Sequence, residues 1–104
     1  MGMRLWIDDL RAPPDDTWIW AKSSNEARSL YLDLQFIEVS FDHDLGGDDT
    51  AMPIANMIEE LAANGEAEPP IWHIHSANPV GRQNLKAALQ SAERHWALHL
   101  GEQQ

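Results

Sequence analysis

Residues 37–47 read IEVSFDHDLGG, an apolar alternation that runs into Asp42, His43 and Asp44 and then into two glycines. Ile37, Val39 and Phe41 recur at every second position, so the stretch predicts a strand with one buried side. A strand that stops on acidic and imidazole side chains fits an α/β sheet, in which ligands bind beyond the carboxyl ends of the strands. The DHDLGG end admits three readings: a solvated turn, a metal site, or the attachment point of a phosphoryl group.

Upstream, RLWID (4–8) is another short β-type run, ending on the Asp8-Asp9 pair. LRAPPDD (10–16) follows, and its proline pair forbids a helix interior and predicts a loop. TWIWA (17–21) is a second aromatic and β-branched run. In SSNEARSLYLDL, Ser23 with Glu26 three residues later forms a capping box, and Ala27, Leu30, Tyr31 and Leu34 share one helical face.

Downstream, Ile54, Met57, Ile58, Leu61 and Ala62 recur at helical spacing, and Asn64-Gly65 closes that helix. PPIWHIH (69–75) predicts a fourth strand. From Val80 a last helix carries Leu85, Ala88, Leu89, Ala92 and Trp96 on one face. The alternation predicts one domain with a parallel sheet of about four strands, about three helices and right-handed crossovers, the doubly wound class.

The composition narrows the functions open to such a domain. Seven Lys and Arg against seventeen Asp and Glu, a formal net charge of -10, exclude a broad nucleic-acid surface. They leave open a phosphate substrate bridged by a divalent cation. Cysteine is absent, so there is no disulfide, thiolate nucleophile or Cys-based zinc site. No stretch has the length of a membrane span, and MGMRLWIDD lacks the apolar region of a signal peptide, so the expected location is cytoplasmic. The five tryptophans are expected to pack core and rim, with room left for a protein partner beside Trp18, Trp20 and Trp72.

Each polar cluster falls at a predicted strand end. A single Asp there commonly caps backbone N–H groups. Asp8, Asp9 and Asp42 together would repel one another unless a cation held them, and an oxygen-only set suits Mg²⁺ or Mn²⁺. Asp44 stands beside them as a further candidate ligand, or shapes the LGG turn. His43 is a ligand, a general acid or base, or a partly exposed ring. His73 and His75 share a strand face; His73 is expected to be a buried, hydrogen-bonded core residue, with His75 alone reaching the site. Ser76 and Asn78 either cap the last helix or meet a phosphate at its N-terminus, where Arg82 can add a charge-assisted fork. Arg11 faces the same edge as a second phosphate clamp or pairs with Asp9. Asp48 and Asp49 are expected to favour the next helix through its dipole.

LWIDD closing a first strand, SFDHDLG closing a third and a Ser closing a fourth resemble the acidic pocket of response-regulator receiver domains. LWIDDLRAPP, FDHDLGG and IHSANPVGR more specifically resemble cyclic-phosphate-processing receiver domains, over residues 4–95. The resemblance implies a truncated, flavodoxin-like receiver fold. It implies that Asp8 and Asp9 are the paired acids that hold a divalent metal, that Asp42 is the phosphoacceptor or metal-ligand aspartate, and that Ser76 is the phosphate-contacting hydroxyl. His43, Asp44, His75, Asn78 and Arg82 belong to the subfamily motifs and have no counterpart in ordinary receivers. The chain departs from an ordinary receiver in lacking a fifth strand and any lysine after Lys86, and its first helix is replaced by the LRAPPDD loop.

The expected function is that of a metal-dependent phosphoesterase acting on a small cyclic phosphate, a cyclic nucleotide or a 2',3'-cyclic phosphate RNA end. In that reading Asp42, His75 and His43 are the candidate catalytic residues, and Ser76, Asn78, Arg82 and Arg11 the candidate phosphate ligands. The alternatives are a receiver phosphorylated on Asp42 and a module that binds a ligand or protein without turnover.

Overall fold

The computed structural model describes residues 2–102. The chain runs β1 (Met3–Ile7), β2 (Trp18–Ala21), α1 (Ser24–Asp33), β3 (Phe36–Phe41), α2 (Met52–Ala63), β4 (Ile71–Ile74) and α3 (Pro79–Glu102). The strands form one parallel sheet in the order β2-β1-β3-β4. This is a compact α/β arrangement of truncated receiver type. No helix of the described residues is long and apolar enough to cross a membrane.

The helices form on their local signals. Ser23 caps α1 by accepting from the Glu26 amide at 3.1 Å, while Glu26 accepts from the Lys22 amide at 3.0 Å. Asn64 ends α2 and Gly65 follows with φ 70°, the left-handed conformation that closes a helix. Ile54, Ile58 and Ala62 of α2 and Leu85, Leu89 and Ala92 of α3 are almost completely buried against Leu5, Ile7, Val39 and Phe41 of the sheet. Each fully buried aliphatic side chain contributes roughly 1.5–3 kcal/mol.

A doubly wound sheet has helices on both faces; here α2 packs on both α1 and α3, so all three lie in one layer. The direction of travel across the sheet is the reason. A right-handed crossover places its connection on a face set by that direction. The chain moves from β2 to β3 and from β3 to β4 the same way, so α1 and α2 share a face. The reverse step, β1 to β2, is made by the proline-containing loop 8–17 and not by a helix. The second face therefore has no helix among the described residues. It carries Arg4, Trp6, Trp18, Trp20, Glu38, Ser40, Ile71 and His73, in register across the four strands.

Two expectations change, for His73 and for Ile37, while the tryptophans divide between core and rim as expected. His73 is half-exposed on this open face and bonded to Glu38 at 2.6 Å, because no helix covers it. Ile37 is 53% exposed, because the register shift opposite Met3 and Arg4 takes it out of the alternation and leaves Phe36, Val39 and Phe41 as the buried set. Trp6, Trp18 and Trp20 are half-buried on the open face, where Arg4 lies 3.9 Å over the Trp18 ring and Lys22 4.2 Å over Trp20. Trp72 and Trp96 pack against the core as expected.

Candidate functional site

The strand order makes β1 and β3 neighbours, with Ile7 opposite Phe41, so Asp8 and Asp42 leave the sheet side by side. One carboxylate oxygen from each of Asp8, Asp9 and Asp42 lies within 4.8 Å of the others. Gly46 and Gly47, at φ 91° and 56°, turn the β3–α2 loop back over this edge, and a Cβ on Gly46 would stand 3.2 Å from Asp9 Oδ2.

Asp8 anchors the site and is only 1% exposed. Its Oδ1 accepts from the amides of Leu10 (2.9 Å) and Arg11 (2.8 Å), folding the DDLR turn around the side chain. Its Oδ2 accepts from Arg11 Nε at 3.2 Å and meets His75 Nε2 at 3.1 Å. Trp20 Nε1 donates to the Asp8 carbonyl at 2.7 Å and Trp6 Nε1 to the Arg11 carbonyl at 2.9 Å, stapling the turn to the open sheet face. Burial alone pushes the Asp8 carboxyl up. The Arg11 and Leu10 amides, the His75 contact and the Arg11 charge outweigh it and hold the group below the ordinary aspartate value.

Arg11 thus pairs with Asp8 and not with Asp9, because the turn folds the guanidinium back onto the residue three before it. Its Nη2 donates to the His75 carbonyl at 3.0 Å and lies 4.0 Å from Asp42 Oδ2. One cation therefore spans the ends of β1, β3 and β4.

His75 extends β4 beyond its last residue, its amide donating to the Phe41 carbonyl at 2.9 Å. Its ring lies parallel to Trp6, 4.0 Å between centroids and 7° between planes. Nδ1 is 2.7 Å from Ser40 Oγ. Burial pushes the imidazole below its ordinary value, against the opposing pull of Asp8 and Asp42.

The other predicted residues form a second string. His43 Nδ1 bonds Asp44 at 2.9 Å, Asn78 Nδ2 donates to the other Asp44 oxygen at 3.1 Å, and the His43 ring packs over Gly81. These bonds, His43 first, hold the Asp44 carboxyl below its ordinary value. Asn78 Oδ1 caps α3 by accepting from Val80 and Gly81, both at 3.1 Å. Buried Ser76 accepts from the Asn78 amide at 3.2 Å, and Arg82 Nη1 donates to the Ser76 carbonyl at 3.3 Å. The fold thus brings together Asp8, Asp9, Asp42, Arg11 and His75, while His43, Asp44 and Asn78 tie the β3 loop to the start of α3, and Ser76 and Arg82 bond within the β4–α3 connection.

Asp49 departs from expectation. Its carboxylate accepts from the Ser24 amide at 2.8 Å and from the Ser24 hydroxyl, so it serves α1 and not the helix that follows it. The loop returns over the sheet edge and meets an earlier helix, which adjacency in sequence cannot show.

A family model for the cyclic-phosphate processing receiver domain matches residues 3–91. The chain belongs to this family. No curated protein and no solved structure matches it. In this receiver domain β4 leads directly into α3, and no strand follows among the described residues.

Ser40 and Trp6 belong to the site and were not singled out from the sequence, and Trp20, noted there only as a partner-facing ring, joins them. Their signal is parity. Ser40 is two residues before Asp42 and Trp6 two before Asp8, so each shares a sheet face with a site aspartate.

Proposed function

We propose that the domain is a metal-dependent phosphoesterase that opens a small cyclic phosphate, such as the 2',3'-cyclic phosphate of a nucleotide or an RNA end. The observation that carries the reading is the convergence of the three carboxylates within 4.8 Å, with His75 and Arg11 at the same edge.

The donor set suits a hard divalent ion, Mg²⁺ or Mn²⁺, because all three groups offer carboxylate oxygen. Asp8 is occupied by four hydrogen-bonding contacts, whereas no side-chain hydrogen bond among the described residues engages the Asp9 or Asp42 carboxylate, and Arg11 approaches Asp42 at 4.0 Å. Asp9 and Asp42 are accordingly the principal ligands, with Asp8 setting the geometry around them. A bound divalent ion supplies the Lewis acidity that polarises a phosphoryl group and acidifies a water.

The protein's own groups do the rest. Arg11 neutralises non-bridging oxygens, its side chain being 59% exposed and its guanidinium preset by the Asp8 turn. His75 Nε2–H, at the Asp8 edge of the cluster, donates a hydrogen bond to the departing sugar oxygen, which takes up the proton that the attacking water releases. Trp6 stacks on the ring and fixes its plane.

The test is hydrolysis of 2',3'-cyclic AMP with and without Mn²⁺ or Mg²⁺, followed by chromatography beside Asp42→Asn. Metal-dependent opening to a single monophosphate isomer, lost in Asp42→Asn with the fold intact, is expected. Turnover unaffected by Asp42→Asn would sink the reading. Metal-dependent binding without turnover would make the site one of recognition.

A further inference from the structure

Ser40 is 3% exposed, in β3, and opposite Trp6 of β1 on one side and His73 of β4 on the other. The proposed chemistry leaves its hydroxyl unused, yet it stands 2.7 Å from His75 Nδ1 while Nε2 of the same ring stands 3.1 Å from Asp8 Oδ2. The protons in this chain can be assigned. Both Asp8 oxygens already accept from N–H groups, Oδ1 from the Leu10 and Arg11 amides and Oδ2 from Arg11 Nε, so Asp8 meets His75 as an acceptor and Nε2 carries the hydrogen; with one N–H on the ring, Nδ1 is an acceptor and the Ser40 hydroxyl donates to it.

Asp8 by itself does not fix the ring. A half-turn about Cβ–Cγ exchanges nitrogen for carbon on both edges, and a neutral ring can instead carry its hydrogen on Nδ1. A donor on the Ser40 side removes this freedom, because it is satisfied only with unprotonated Nδ1 facing it.

We propose that Ser40 is a positioning residue that holds His75 as its Nε2–H tautomer, with that N–H directed at the carboxylate cluster. The consequence for function rests on the phosphoesterase reading: His75 then faces the cluster as a hydrogen-bond donor.

Long-range ¹H–¹⁵N spectra of the full chain with ¹⁵N-labelled histidine, recorded near pH 8 where an imidazole of ordinary pKa, about 6.5, is neutral, read the tautomer without any substrate. The wild type is expected to show His75 as a single Nε2–H form with a hydrogen-bonded Nδ1. Ser40→Ala is expected to show a mixture of tautomers, and Ser40→Thr, which keeps the hydroxyl, to restore the single form. An Nδ1–H wild type, or a Ser40→Ala spectrum identical to it, overturns the proposal; the wild-type spectrum alone can do so if Ser40→Ala fails to fold. In parallel assays of 2',3'-cyclic AMP opening, Ser40→Ala is expected to lose roughly ten- to hundredfold in kcat with little change in KM. A wild type without turnover but with the single tautomer sinks the phosphoesterase reading and leaves the positioning role supported.

Discussion

Replacing Arg11 by glutamine is expected to tighten divalent-cation binding. The guanidinium lies 3.2 Å from Asp8 and 4.0 Å from Asp42, so it already offsets part of the negative charge that an ion would meet. Because the Arg11 side chain is 59% exposed, a water-like dielectric applies. At that dielectric and roughly 4–5 Å, a unit charge and a divalent ion repel by about 2 kcal/mol, before modest screening by salt. Removing the guanidinium is thus worth about tenfold in affinity. Asp8 keeps its two backbone amides and His75 in the variant, so its carboxylate stays ionised and in place. Calorimetric titration with Mn²⁺ at fixed ionic strength measures the change, and loss of the Arg11 pairing is checked by raising the salt, which is expected to shrink the difference. An unchanged or weaker affinity in Arg11→Gln would refute the reasoning and show that Arg11 assembles the cluster more than it competes with the ion. The same variant is expected to bind the phosphate substrate less well, so metal affinity and substrate affinity move in opposite directions.

Gly81→Ala tests the second string. Alanine in a helix is ordinarily about 1 kcal/mol better than glycine, but a Cβ at 81 would stand 2.4 Å from His43 Cγ, so a net loss of roughly 1–3 kcal/mol is expected in urea denaturation; His43→Ala in the same chain is expected to reverse the sign. Asp49→Ala removes the acceptor that serves the first turn of α1, and a loss of roughly 1 kcal/mol, about 4–8 °C in Tm, is expected. The Ser24 hydroxyl and then its amide hold the Asp49 carboxyl below the ordinary value. Its stabilisation is therefore complete above the unfolded aspartate pKa, about 3.9, and is lost as pH falls through the lower folded value. The wild type is expected to lose more stability than Asp49→Ala across that acid interval, and parallel melting curves would count against the assignment. Phe41→Ala, at a fully buried position of β3, is expected to lose roughly 3–5 kcal/mol, measured by the same denaturation.

The sequence by itself determined the kind and order of the elements. Period-2 runs, the Ser23 cap, the proline pair and Asn64-Gly65 act over a few residues, and local backbone physics settles them without the rest of the chain. It also showed that acids and histidines stand where strands end, and the motifs around them carried the family. Which of those residues meet was decided by the tertiary structure. Asp8 and Asp42 are neighbours because β1 pairs with β3, and Arg11 joins them because one buried carboxylate nucleates the turn that returns it. Ser40 reaches His75 across 35 positions, and Asp49 reaches Ser24 across 25, through contacts with no local signal. The half-exposed His73 and the open tryptophan face depend on the layer in which the helices lie, and the order of the strands sets that layer. Hydrogen bonds and ion pairs act over a few ångströms in space, so a sequence reveals them only where chain neighbours are also neighbours in the fold.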